Sequence, residues 1–292
     1  MEKTSWACTI ITQVSLCCAL YLAINLGQPQ NFVYRQRNEK IPLDLYFISV
    51  TGGFRPLEQQ TKLLKQMEKV ARIYKARFVV NSSELGEDDP LEQNATRHFS
   101  SLKVPWHTTR ASKGHEVGCF HEKIKTPNGS MLEIIGVDIE LLQDSASARI
   151  SSNNNTQLQW LIKTLEASTS NWRMIVGYHP LVVCGEDKKK MEAEPNLESL
   201  HRVFQRFGVN ACLSGQHCSI HEGSVAYIGN PSPMKSKSYS ISLNRKTVFS
   251  GELVNGFLLH RVSSLQIVTY FVTSAGEVAY RTVLQQWGRE VI

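Results

Sequence analysis

None of the seven cysteines is spaced as CxxC, which removes zinc-finger and thioredoxin-like readings. No basic run is longer than Lys188-Lys189-Lys190, and that run directly follows Glu186-Asp187. The net charge is +6, yet the lysines and arginines are scattered. The dense basic stripe of a nucleic-acid binder is missing, so no nucleic-acid partner is expected. No internal repeat or long low-complexity tract follows Gly27. Apolar residues are not scarce: 42% hydrophobic content, with 11 Phe, 9 Tyr and 5 Trp, excludes wholesale disorder. A chain of 292 residues buries a core without a disulfide framework.

Charge is also absent between Trp6 and Leu26, a run of 21 residues. At about 1.5 Å per residue such a helix spans a hydrocarbon core. Only Lys3, offset by Glu2, precedes the run, and no small-residue cleavage signal closes it. An uncleaved transmembrane anchor over residues 1–28 is therefore favoured over a signal peptide. Residues 29–41 read as a polar, basic linker, and 42–288 as one domain. Arg35, Arg37 and Lys40 would keep that domain cytosolic by positive-inside counting. Four N-x-S/T sequons, at Asn81, Asn94, Asn128 and Asn154, fit a lumenal domain instead. The expectation adopted is the secretory pathway, with the chain attached to membrane by its N-terminal helix and the domain lumenal or extracellular. Cys8, Cys17 and Cys18 in the anchor are acylation candidates.

In the domain, Leu43–Val50 reads as a strand closed by Gly52-Gly53. Leu63, Leu64, Met67, Val70, Ala71 and Tyr74 recur at helical spacing and predict a helix over 57–75, with Pro56 at its start. Strands are expected at 77–80, 131–137, 172–176 and 209–213, and helices at 157–165 and 197–207. The acidic stretch Gly86–Pro90 reads as a loop. After Ser224 short strands follow at 226–228, 257–259, 266–272 and 278–283. An α/β half followed by an antiparallel half suggests two sheets face to face with helices outside. Chemistry is then expected in loops at strand C-termini, at Thr51, Asn81, Tyr178 and Gly215.

An ordered set of motifs at those ends carries a family resemblance. Thr51-Gly-Gly-Phe-Arg stands where purple acid phosphatases have Gly-Asp-Trp-Gly-Arg, and Val104-Pro-Trp-His107 resembles their Val-Pro-Trp-Tyr. Gln157-Leu-Gln-Trp-Leu161 resembles their Gln-Leu-x-Trp-Leu helix, and Ile175-Val-Gly-Tyr-His-Pro180 their Val-x-Gly-His-His-Pro. Val209 to Cys218 is similar to Val-Asp-x-x-x-x-Gly-His-Asp-His. The chain thus resembles the purple acid phosphatases of the calcineurin-like metallophosphoesterase superfamily from about Leu43 to Leu284. The resemblance implies an α-β-β-α two-sheet sandwich behind the transmembrane helix. It also implies a di-metal centre that hydrolyses phosphomonoesters in line.

Carried over residue by residue, the family's metal ligands fall on Thr51, Ser82, Leu85, Ser112, Tyr178, Gln216 and Cys218. Both aspartates are gone, and no nearby shift restores the pattern, though Glu84 and His115 are close. Neutral Thr, Ser, Leu, Tyr and Gln cannot offset two close cations, and one thiol does not make a site. No cofactor is therefore expected. Lys113 takes the place of the family's phosphate-contacting His and could hold an anion, such as a phosphate-bearing ligand, without metal. His217-Cys-Ser-Ile-His221, with His179 in reach, is a second potential zinc constellation, but it follows a strand rather than lying on a helix. His179 and His217 are the residual catalytic candidates. Asp44 and Asp138 read as solvated strand-edge carboxylates without partners. The reading is a degenerate, non-catalytic phosphatase-like protein, a membrane-anchored scaffold or anion-binding module whose protein partner the residues do not name. The competing reading is an active metal-dependent phosphomonoesterase.

Overall fold

The computed structural model describes residues 10–18, 44–109, 119–139, 141–142, 156–179, 195–215, 220–222, 224–231, 239–243, 246–251 and 255–286. The chain divides into two units, 1–36 and 37–292. In the first, residues 10–18 form a helix with Ile10, Ile11, Val14 and Leu16 exposed. That helix covers only about 14 Å at 1.5 Å per residue. No helix among the described residues is long and apolar enough to cross a membrane; the rest of the Trp6–Leu26 run lies outside them.

The second unit is built on two six-stranded sheets. The first has the order β14-β13-β12-β1-β2-β3. Its parallel part is β1 (Leu45–Thr51), β2 (Val79–Ser82) and β3 (Trp106–Thr108). Its antiparallel part is β12 (Gly256–Val262), β13 (Gln266–Thr273) and β14 (Val278–Gln285). The second has the order β4-β5-β6-β7-β9-β8. It comprises β4 (Phe120–Lys125), β5 (Met131–Gly136), β6 (Trp172–Val176), β7 (Ala211–Ser214), β8 (Ile220–Glu222) and β9 (Val225–Gly229). A separate ribbon pairs β10 (Tyr239–Leu243) with β11 (Lys246–Gly251).

Alternation along β1 shows how the layers arise. Leu45 and Phe47 point into the inter-sheet core with Trp172, Met174, Leu213 and Leu258. Ile48 and Val50 point the other way, onto helix α1 (Leu57–Tyr74). Each large side chain buried this way contributes about 1.5–3 kcal/mol. On α1, Leu63, Leu64, Met67, Val70 and Ala71 face the sheet; Lys75, left-handed at φ 52°, ends the helix. Helix α2 (Pro90–His98) lies beside α1, joined through Gln60, which donates to Pro90 O and accepts from Asn94. Helices α3 (Thr156–Glu166) and α4 (Pro195–Arg206) cover the outer face of the second sheet through Leu161, Leu165, Leu200 and Phe204.

The expected sandwich is present, but the sheets do not correspond to the two halves of the chain. The C-terminal strands complete the first sheet, because β12 pairs antiparallel with β1. Helix α2 and strand β4 were not expected, and the stretch ending at Pro90 leads into a helix.

Candidate site at the strand ends

The parallel strands of both sheets finish at one edge. Thr51 and Ser82 are the last residues of β1 and β2 and are register partners. Both they and Asn81 are strand residues rather than loop residues. Opposite them, Tyr178 follows β6 and Gly215 follows β7, joined by Gly215 N donating to Tyr178 O at 3.0 Å. A Cβ at Gly215 would lie 2.9 Å from Tyr178 O and 3.5 Å from Thr51 Cγ2. Thr51, Ser82, Tyr178 and Gly215 therefore lie together at this edge. Leu85 lies three residues beyond Ser82, its N–H donating to Ser83 Oγ. Ser112, Lys113, Gln216, His217, Cys218, His115 and Asn154 lie outside the described residues. The backbone of His221 is in β8, so the His217–His221 spacing does not fall on a helix.

The floor of this site is a branched hydrogen-bond chain of neutral groups. Ser49 donates to Asn230 Oδ1 at 2.6 Å and lies 2.7 Å from His260 Nε2. With its proton directed to Asn230, Ser49 Oγ accepts from Nε2–H, and His260 Nδ1 accepts from Thr269 at 2.9 Å. Asn230 then donates to Ser82 Oγ at 3.3 Å, and Thr51 Oγ1 donates to Asn230 O at 3.3 Å. Burial holds the His260 pKa down at about 3, so the ring is neutral. Ser49 and His260 are both buried, and this pair is not poised for nucleophilic attack.

The rim is charged but equally committed. Asp89 accepts from Gly53 N at 2.7 Å, from Ser83 Oγ at 2.5 Å and from Leu91 N at 2.8 Å, the last as the N-cap of α2. Arg55 donates to Thr51 O at 2.6 Å and to Asn255 Oδ1 at 3.2 Å. Burial lowers its pKa to about 10 against the opposing charge of Asp89. Gly52 is compelled by this packing, since a Cβ there would sit 2.0 Å from Asp89 Oδ2. Glu92 accepts from Thr108, and its pKa is raised, chiefly by burial. Tyr178 also titrates higher than usual, through burial first and then Glu84 and Asp89, so it remains a neutral phenol. Its ring meets that of His179 edge-on, with centroids 5.0 Å apart.

These donors do not fit a di-metal centre. Thr51 and Ser82 spend their oxygens on Asn230, Leu85 has no donor side chain, and Tyr178 is held protonated. Among the described residues no cluster of three His, Cys, Asp or Glu could hold a metal ion.

No protein-family model and no curated protein matches the chain in sequence. Among solved structures, GAP50, the anchor in the inner membrane complex of Plasmodium, matches with a TM-score of 0.65 and 18% identity, over 85% of this chain and 90% of its own. PhoD matches at 0.50 and 10%, over 83% and 68%. A predicted phosphoesterase from Streptococcus pneumoniae TIGR4 matches at 0.38 and 13%, over 83% and 98%. The chain has the calcineurin-like phosphoesterase fold. At these identities the likeness is one of fold.

Within that fold, two acidic residues need correction. Asp44 is not without a partner: its Oδ2 lies 3.3 Å from Arg261 Nε. Asp138 is buried rather than solvated. The Gln157 amide lies 3.0 Å from both its backbone N and O and bonds both, with the amide oxygen turned to Asp138 N and the nitrogen to Asp138 O. The Asp138 carboxylate accepts from Leu141 N. Gln157 of the Gln-Leu-x-Trp-Leu motif therefore pins the loop after β5. Among the sequons, Asn81 is 0% exposed and cannot carry a glycan in this fold, because β2 is paired on both sides. Asn94 is half-buried on α2, and Asn128 is exposed in the β4–β5 turn. Sequence reading missed Asp89, Arg55, Asn230 and His260. Two of these had a local signal: Asp89 in the Asp-Pro pair that opens a helix, and Arg55 as the last residue of the Thr51-Gly-Gly-Phe-Arg motif.

Proposed function

We propose that this chain is a non-catalytic protein of the phosphoesterase fold, acting as a membrane-attached scaffold in the secretory pathway with its domain lumenal. The observation that carries the reading is the bonding of Thr51 and Ser82, together with the neutral phenol of Tyr178. By the motif resemblance each falls on a metal-ligand position; all three are neutral, and Thr51 and Ser82 are bonded to Asn230. Without metals a site of this type has neither its nucleophile nor its Lewis acid. Support for attachment comes from the uncharged run Trp6–Leu26 and from the fold shared with a protein described as an anchor in a membrane complex. The sequons support the lumenal side.

The test is an assay of purified protein with p-nitrophenyl phosphate between about pH 4 and 8, with iron, zinc or manganese added. No turnover above a heat-killed control is expected, and metal analysis is expected to find well under one ion per chain. Metal-dependent turnover abolished by His179→Ala or His217→Ala would establish the phosphomonoesterase instead. For attachment, the full chain should stay with membranes through alkaline carbonate extraction; release into the supernatant would refute the anchor.

A further inference from the structure

We propose that Asn128 carries an N-linked oligosaccharide, a reading that rests on the lumenal placement above. Its sequon, Asn128-Gly129-Ser130, forms the tip of the β4–β5 hairpin, closed by Thr126 N donating to Ser130 O at 2.8 Å and Gly129 N to Thr126 O at 3.0 Å. Gly129 has φ +89° and no atom within 4 Å of where a Cβ would stand, so the tip is open.

The bonding of the asparagine decides the matter. Asn128 Oδ1 accepts from Thr126 Oγ1 at 2.6 Å, from Ser130 Oγ at 2.7 Å and from Ser130 N at 3.0 Å. None of these bonds uses Nδ2, the atom that a glycan occupies. In the transfer, Nδ2 forms a C–N bond to the anomeric carbon of a lipid-pyrophosphate-linked oligosaccharide. The C–O bond to the pyrophosphate breaks, the lipid pyrophosphate departs, and the amide loses one proton to base. The modified amide keeps Oδ1 and every bond that Oδ1 makes, so the hairpin tip accommodates the sugar without rearrangement. Asn81 is the contrasting case, buried in the middle of a parallel ladder. At Asn94 the glycan nitrogen is the one already donating to Gln60 Oε1 at 3.3 Å.

The experiment expresses the full chain in a eukaryotic secretory cell with a sequon-bearing tag appended after Ile292, and reads gel mobility before and after peptide-N-glycosidase. Asn128→Gln and Ser130→Ala should each remove one glycan step, while Asn81→Gln removes none. The serine variant destroys the sequon yet keeps the asparagine of the turn, so agreement between the two separates glycan loss from misfolding. An unchanged pattern in both variants with the tag glycosylated overturns the Asn128 assignment and leaves the lumenal reading standing. A step lost on Asn81→Gln while Asn128→Gln and Ser130→Ala lose none overturns it as well. A bare tag and a bare domain together overturn both proposals.

Discussion

Asp89 and Glu133 are both 0% exposed, yet the protein satisfies them by opposite means. Asp89 is held by the backbone N–H groups of Gly53 and Leu91 and the hydroxyl of Ser83, with Arg55 as the nearby charge. Glu133 meets His121 Nε2 at 2.6 Å and Lys123 Nζ at 3.5 Å, both partly solvent-exposed, and also Ser168. The first carboxylate ties together the chain after β1, the chain after β2 and the start of α2. The second is an ion cluster on one face of a sheet that water and protons reach. A carboxylate does stand at the edge where an enzyme of this fold would need one, but its lone pairs are taken by the chain itself.

The largest effect is expected at Asp89. Asp89→Ala removes a helix cap, orphans the buried Ser83 hydroxyl and the half-buried Gly53 N–H and leaves Arg55 uncompensated, for about 3–5 kcal/mol in urea unfolding. Glu133→Gln keeps shape and some hydrogen bonds and should cost about 1–3 kcal/mol. Equal losses would break the distinction between a carboxylate that organises backbone and one that answers to charge. Gly52→Ala sharpens it from the other side. It pushes a methyl into Asp89 without touching any charge, and should cost about 1–3 kcal/mol by overpacking.

Next in size is the pH dependence. His260 has its folded pKa lowered to about 3 from 6.5, so between those values the unfolded chain binds the proton and the folded chain does not. Stability should fall as pH drops from 6.5, by up to about 1.4 kcal/mol per unit. Glu133 acts in a lower window. Burial raises its pKa, but the Ser168 and His121 hydrogen bonds and the charge of Lys123 outweigh that and leave it below 4.5. Its contribution is present above that value and is lost as pH falls through the folded pKa. His260→Gln should flatten the slope from pH 6.5 down to about 3, and Glu133→Gln only the part below 4.5. Denaturant melts of the two variants over that range check the assignment.

How far the sequence discloses this arrangement depends on the range of each interaction. Strands β1, β5, β6 and β12 and helix α1 are legible because their apolar side chains follow one period over several residues. Helix α2 is not, since it buries only Leu91 and Ala95, and its acidic approach reads as a loop. Strand β4 alternates half-buried Phe120, Glu122 and Ile124 with charged and exposed neighbours at the sheet edge, a pattern without an apolar run. At the site, Thr51, Ser82 and Tyr178 could be placed through motif order. Asn230 and His260 could not, because they reach Ser49 from 181 and 211 residues away with no motif around them. The neutral residue types at the motif positions are legible in the sequence. The floor of hydrogen-bonded neutral groups beneath them belongs to tertiary structure alone.

The smallest effect expected is on activity. Thr51→Asp with Tyr178→His restores one anion and one imidazole to two converging strand ends. Ser82 would still be bonded to Asn230, and Leu85 would still offer no donor. A pair of dications needs several anionic and imidazole ligands around it at once, so two restored donors leave most of the charge uncompensated. The new carboxylate would also lie over the floor chain, where Thr51 now donates to Asn230 O, and its buried charge would gain no cation in exchange. The double variant should therefore lose stability by about 1–3 kcal/mol while phosphatase turnover stays at background with iron, zinc or manganese. Stoichiometric metal uptake by this variant would mean that the floor yields more readily than its hydrogen bonds indicate. The contrast between a spent rim carboxylate and a free metal ligand would then fail at its most exposed point.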